Sequence, residues 1–407
     1  MSDRGPLDPD DDPFRSIPLF GDLARMLQQQ GPVSWDAARQ LAASIATEGV
    51  SEPNIDPLDR IKLEQLARVA DLQVANASGL TTSPTGRGLT VVPVNRSQWI
   101  QQTLSSHRPL LEALAGSLSG GMAAGMPGLG DDPDDLDDPM AKMLGGIMQA
   151  FGPVMLGMTA GSMIGHLAKR SLGQYDLPIP RPPGDELMIV LSNLDEFGRE
   201  WSLPEDDLRL WVCVHEVAHH AVLSLPHVRK RLEGLLHAYV AGFEPDTGSF
   251  ESKLGELDVS DLSAMDNMQQ LLGDPEVLLG AIQSSAQRDL LPRLEALVAV
   301  IVGYVDHLMD EIGHGLIGSY SMVTEAMRRR RVTADPSDRF VERLFGLELS
   351  QTQYERGSAF VEGAVDRAGP EALDRLWLSD RELPTPAEVD APGLWLARID
   401  IDIDDPT

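Results

Sequence analysis

Residues 205–223, EDDLRLWVCVHEVAHHAVL, constrain the fold more than any other stretch of the chain. Leu208, Trp211, Val212, Val214, Val217, Ala218, Ala221 and Val222 leave little of a helix surface polar, so the spacing predicts a largely buried helix. Ser202 and Glu205 are spaced as a capping box, and Pro204 would occupy the first turn, where proline is tolerated. Within this apolar setting stand His215, Glu216 and His219, the pattern HExxH. About 0.01 accidental matches are expected in a chain of roughly 400 residues. Burying two imidazoles and a carboxylate is costly unless they are partnered or used. At i and i+4 the two rings project to one side of the helix, a turn apart. Two ligands of one tetrahedral zinc need that arrangement. Glu216, one residue round, is placed to take a proton from a metal-bound water and pass it to a leaving amine. His220 points about 100° away from His219 and reads as a supporting or core hydrogen-bonding residue. Cys213 reads as core.

HExxH supplies two ligands, whereas a catalytic zinc usually takes three from protein. The short continuation HExxHxxGxxH is absent, because its glycine position is Val222 and its last histidine position is Leu225. A third ligand must then come from a later segment. Residues 290–311, LLPRLEALVAVIVGYVDHLMDE, form the best candidate helix. In thermolysin-like enzymes the downstream helix reads ExxxD; here Asp306 matches the Asp, but the Glu position is Val302. Asp306 is the first candidate for the third ligand and His307 the second, with a residue elsewhere in the chain as the remaining alternative. Tyr304 or a nearby histidine is a candidate for stabilising an oxyanion.

The remaining chain reads as mainly α. Helical patterns are expected over 18–46, 58–74, 99–118 (with a break at Pro109), 225–241, 261–270, 275–286, 319–331, 338–345 and 350–368. Strand character is confined to 79–94, to MIVLSNL at 188–194 and to the alternating RIDIDIDD near the end. The expected divisions are a disordered acidic N-terminus (1–17), an N-terminal helical region (18–118), an acidic flexible loop (119–140), a metal-binding domain (141–378) and a Pro/Asp-rich tail (379–407). Residues 143–166 carry no formal charge and are long enough to span a bilayer. Their glycines and Pro153 favour a buried helix whose small residues let a neighbour approach closely. Arg328–Arg331 reads as a solvated helix end.

Net charge narrows the functional classes. Lys and Arg total 33 against 63 Asp and Glu, a formal charge of −30, which repels phosphate backbones and anionic lipid surfaces. No nucleic-acid partner and no membrane association are expected. Cys213 is the single cysteine, so no intrachain disulfide forms. The acidic, Pro-rich start lacks the basic-then-apolar order of a secretory signal, and a cytoplasmic location is expected.

HLAKRSLGQYDLPIPRP, WVCVHEVAHHAVL and VGYVDHLMDEIG together resemble the actinobacterial zincin-like metallopeptidase family (type 2). Some members of that family bear a deazaflavin-coenzyme-biosynthesis label. The likeness covers roughly residues 95–370. It implies a mainly helical zincin-like fold and a zinc-dependent peptidase acting on peptide or protein substrates. Many members carry EGW or EGH where this chain has Val302-Gly303-Tyr304. The alternative reading is a catalytically silent zincin fold that serves as an interaction scaffold.

Overall fold

The computed structural model describes residues 32–124, 139–245, 281–282, 284–333, 336–348 and 350–404. The expected acidic N-terminus, the helix at 261–270 and most of the acidic loop lie outside these residues. The described chain is mainly helical. Helices α1 (Trp35–Thr47) and α2 (Pro57–Ser78) lead into strand β1 (Thr90–Val94). Pro109 does mark a break: α3 (Arg96–Ser106) ends at His107, and α4 (Arg108–Ala124) begins at the next residue. Helix α5 (Pro139–Arg170) precedes strand β2 (Glu186–Val190), which pairs in parallel with β1, Val92 opposite Met188.

The uncharged 143–166 segment lies within α5, and no helix of the described residues is long and apolar enough to cross a membrane. Gly161 and Gly165 serve packing. A Cβ on Gly161 would come within 2.5 Å of the Ala38 carbonyl oxygen, and one on Gly165 within 2.9 Å of that of Ala42. Helices α1 and α5 therefore pack backbone against backbone, with Ala38 and Ala42 fully buried between them.

Helix α6 (Leu191–Glu200) starts directly from β2, so only the first part of MIVLSNL is strand. Helix α7 (Glu205–Leu223) carries HExxH, and every residue from Leu208 to Leu223 is buried. The capping box does not form. Ser202 adopts φ 53° in the tight turn off α6, which leaves Pro204 as the N-cap without a side-chain bond. Three acidic residues, Glu205, Asp206 and Asp207, fill the first turn instead, where negative charge is favoured. Helix α8 (Pro226–Ala241) follows, then a two-residue antiparallel pair, β3 (Glu244–Pro245) with β4 (Ala281–Ile282).

The downstream helix is α9 (Ser285–Leu316), longer at both ends than expected; at its start Ser284 and Gln287 form a capping box. Beyond it come α10 (Tyr320–Val332), α11 (Pro336–Leu344) and α12 (Gln351–Ala368). A Cβ on Gly303 would meet the Gly357 carbonyl carbon at 2.3 Å, so α9 and α12 cross at their glycines. A 3-10 turn (Pro370–Trp377) leads to α13 (Pro386–Asp390) and α14 (Pro392–Asp404). The Ile/Asp alternation near the end is thus helical and not a strand. Trp395 and Ile399, four apart, are buried on one face of α14, and that spacing overrides the alternation. A single cluster of buried apolar side chains runs from Ala38 to Ile399.

Candidate active site

Three side chains of α7 come together as their spacing requires. The rings of His215 and His219 lie 4.4 Å apart between centroids. The residues are 8% and 3% exposed, and Glu216 is 1% exposed. Trp211, one turn earlier, stacks on His215 at 5.1 Å, and Tyr175 stacks on the other side of the pair, 6.2 Å from His219. The Nδ1 of His219 is 3.1 Å from the His215 carbonyl oxygen. That oxygen can only accept, so Nδ1 carries the proton and Nε2 keeps its lone pair. Burial pushes the His215 imidazolium down to about 4, helped by the charge of Arg331. Burial and His215 push that of His219 down to about 3. Both rings are neutral near pH 7, the state in which imidazole binds a metal.

The segment after α5 holds Glu216. Its Oε2 accepts the backbone N–H groups of Gln174 at 2.7 Å and Tyr175 at 2.8 Å. Its Oε1 lies 3.4 Å from His215 Nδ1. A Cβ on Gly173 would fall 2.3 Å from the Glu216 Cδ, so only glycine admits the carboxylate there. Burial raises the Glu216 carboxyl to about 7, aided by the charge of Asp176 and opposed by His219 and the two N–H donors. The segment is itself fixed from three sides. The Asn193 amide donates to the carbonyls of Ala168 at 2.8 Å and Ser171 at 2.7 Å. Val190 N–H donates to Leu172 O at 2.9 Å, and Trp99 Nε1 donates to Gly173 O at 2.8 Å. His220 Nδ1 lies 3.0 Å from the Tyr175 hydroxyl, so it steadies the same segment from α7.

A narrow cleft opens over the two histidines. Its walls include Tyr175, Asp176, Val302, Arg330, Arg331 and Tyr354. Val302, at the position of the missing glutamate, faces this space with a side chain that cannot ligate. Asp306, one turn on, is bound to Arg331: Nη1 reaches its two oxygens at 3.2 and 3.1 Å and Nη2 reaches Oδ1 at 3.2 Å. Burial would raise the Asp306 carboxyl, but the charge and hydrogen bonds of Arg331 hold it below the usual carboxylate range. His307 does not line the cleft. Tyr304 packs edge-on against Trp377 at 5.0 Å, and it too is absent from the cleft lining.

Sequence reasoning missed the arginines and the segment that holds Glu216. Arg330 and Arg331 are 14% and 17% exposed and lie in the cleft wall, not on a solvated helix end. Arg330 bonds the Arg170 carbonyl and pairs with Asp176 at 3.1 Å, while Arg331 also lies 4.5 Å over the Tyr354 ring. A run of four arginines in so acidic a chain was the available signal.

The description of zincin-like metallopeptidases matches residues 33–396. The chain therefore belongs to the zincin-like metallopeptidase family. A crystal structure from Chloroflexus aurantiacus, of a candidate hydrolase with a novel fold, superposes with a TM-score of 0.59. The two chains are 24% identical, and the match covers 90% of this chain and 99% of that one. No curated protein matches. Membership implies a metal, typically zinc. The two neutral imidazoles and the adjacent buried carboxylate suit one, but no group of three or more His, Cys, Asp or Glu able to hold a metal forms among the described residues.

Proposed function

We propose that this protein is a zinc-dependent metallohydrolase that cleaves peptide bonds. The observation that carries the reading is the pair of neutral imidazoles beside a carboxylate held by two backbone N–H groups. His215 and His219 would hold the metal through Nε2. Bound there, zinc would supply Lewis acidity and lower the pKa of a coordinated water. Glu216 is the general base. Its Oε2 is committed to the Gln174 and Tyr175 amides, so Oε1 is the atom that takes the proton. An affinity near neutrality suits a group that must both accept and return it. Asp306, held by Arg331, supports the donor set as the nearest carboxylate of α9 or completes it on leaving Arg331. The candidate-hydrolase description of the Chloroflexus protein agrees with this reading, as does the peptidase family. An actinobacterial origin and a cytoplasmic site of action belong to the same proposal.

The test is metal content by elemental mass spectrometry, followed by cleavage of a peptide library. About one zinc per chain is expected, lost in His215→Ala/His219→Ala. Glu216→Gln should keep the metal and lower cleavage by about 10²–10⁴-fold. A chain that takes up no zinc overturns the reading.

Val302 in the cleft wall and the clamped Asp306 favour a second reading, a silent zincin fold acting as a scaffold. It predicts zinc uptake with no cleavage by either the native chain or Glu216→Gln.

A further inference from the structure

Arg330, from α10, closes a ring of bonds around the segment that holds Glu216. Arg170 is the last residue of α5, and its carbonyl is one of those that a helix end leaves without an intrahelical partner. Arg330 Nη2 donates to that carbonyl. The same nitrogen donates to Asp176 Oδ2 at 3.1 Å, and Leu172 N–H donates to that oxygen at 2.8 Å. One nitrogen thus ties Arg170 to Asp176. Between them stand Gln174 and Tyr175, whose N–H groups converge on Glu216 Oε2.

The tie is sheltered. The side chains of Arg330 and Asp176 are mostly out of water, and the guanidinium carbon lies 5.8 Å from the ring centre of buried Phe197 on α6. Removing one partner of such a pair leaves the other charge uncompensated. The anchors from Asn193, Val190 and Trp99 grip the carbonyls of Ala168, Ser171, Leu172 and Gly173. They stop short of the two N–H donors. Two donors meet one oxygen only where the backbone is held to within about 0.5 Å, and the Asp176 end of the segment is held by Arg330. Arg330 also lines the histidine cleft, so contact with a substrate is the rival role. Both protons of Nη2 are committed to the segment.

We infer that Arg330 is a positioning residue for Glu216: by tying Arg170 to Asp176 it keeps the Gln174 and Tyr175 amides aimed at the carboxylate. The cradle stands without a metal. Its service to a general base rests on the hydrolase reading above.

The experiment is amide hydrogen exchange on the metal-free full chain and on Arg330→Met, which keeps an apolar stem and drops the charge. The Leu172, Gln174 and Tyr175 amides should exchange about 10–100-fold faster in the variant, the scale of charge-assisted hydrogen bonds. Amides of α8 should keep their native rates. Unchanged exchange at the three positions, or an equal rise throughout the chain, overturns the proposal. In the zinc-loaded chain the variant should lower kcat by about 10–100-fold, the cost of a misplaced group, with KM little changed. A raised KM at unchanged kcat would make Arg330 a substrate contact and overturn it as well. A native chain that neither takes up zinc nor cleaves would sink the hydrolase reading, while the exchange rates still decide the positioning role. Should Arg330→Met fail to fold, Asp176→Asn is read in the same way. It keeps an oxygen for Leu172 and drops the charge that Arg330 meets, and unchanged exchange of the Gln174 and Tyr175 amides then overturns the proposal.

Discussion

Arg331 Nη1 reaches both carboxylate oxygens of Asp306, at 3.2 and 3.1 Å, and Nη2 adds a third contact at 3.2 Å. The carboxylate that sequence spacing favours as a third ligand is thus already bound by a cation of the histidine cleft, and Asp306 itself does not line that cleft. Asp306 still feels the two histidines electrostatically. From that position it would tune a metal held by the two histidines without touching it. Asp306→Asn should then weaken zinc binding by about 10–100-fold, the range for removing an outer-shell partner. His219→Ala should abolish it. Competition with a chromogenic chelator measures both. Abolition by Asp306→Asn as well would show that Asp306 leaves Arg331 to become a ligand.

Gly173 offers a separate handle on the base. An added methyl would occupy the place of the Glu216 Cδ, so Gly173→Ala must push the carboxylate off the Gln174 and Tyr175 amides. Zinc stoichiometry should stay near that of the native chain, because neither histidine moves. Cleavage should fall by at least about 10-fold, with a stability loss of about 1–3 kcal/mol from overpacking. Zinc content and kcat measured on one preparation test the two halves together. Undiminished kcat would mean that Glu216 does not need this cradle.

How much of this was legible follows from what each feature is made of. Helix α7 was expected at 205–223 and spans Glu205–Leu223 because all-round apolarity leaves few alternatives. HExxH sits within it, as its side chains announce. The partners of Glu216 are backbone N–H groups of Gln174 and Tyr175, and no side-chain pattern reports a backbone donor. Arg330 and Arg331 read as solvated because charge runs usually are; their partners, Asp176 and Asp306, lie 154 and 25 residues away. The alternating tail misled through its period, which four-residue spacing of Trp395 and Ile399 outweighed.

His107 sets a pH dependence at the junction of α3 and α4. Burial holds its imidazolium well below 6.5, and the nearby Arg181 charge lowers it further. Below about pH 6.5 the unfolded chain takes up a proton that the folded chain refuses, so stability falls as pH drops towards the depressed folded value. His107→Gln removes this contribution. Urea unfolding at pH 7.5 and 5.5 should show a larger loss for the native chain than for the variant. Equal losses would mean that His107 titrates alike in both states.

Trp395 tests whether the Pro/Asp-rich end belongs to the structural core. It is 0% exposed, its ring meets Phe360 of α12 edge-on at 5.4 Å, and its Nε1 donates to the Glu382 carbonyl at 2.7 Å. Helix α12 in turn crosses α9 at Gly357 and Gly303, one residue from Val302 in the cleft wall. The tail therefore braces the helix that carries Val302 and Asp306. Trp395→Ala should cost about 3–5 kcal/mol, the range for emptying a buried aromatic site, and should lower the denaturation midpoint without moving the zinc affinity of the folded protein. Urea titration followed by far-ultraviolet circular dichroism reads the first, and chelator competition in the absence of urea reads the second. A loss below about 1 kcal/mol, the scale of a surface change, would mean that α14 only rests on the fold.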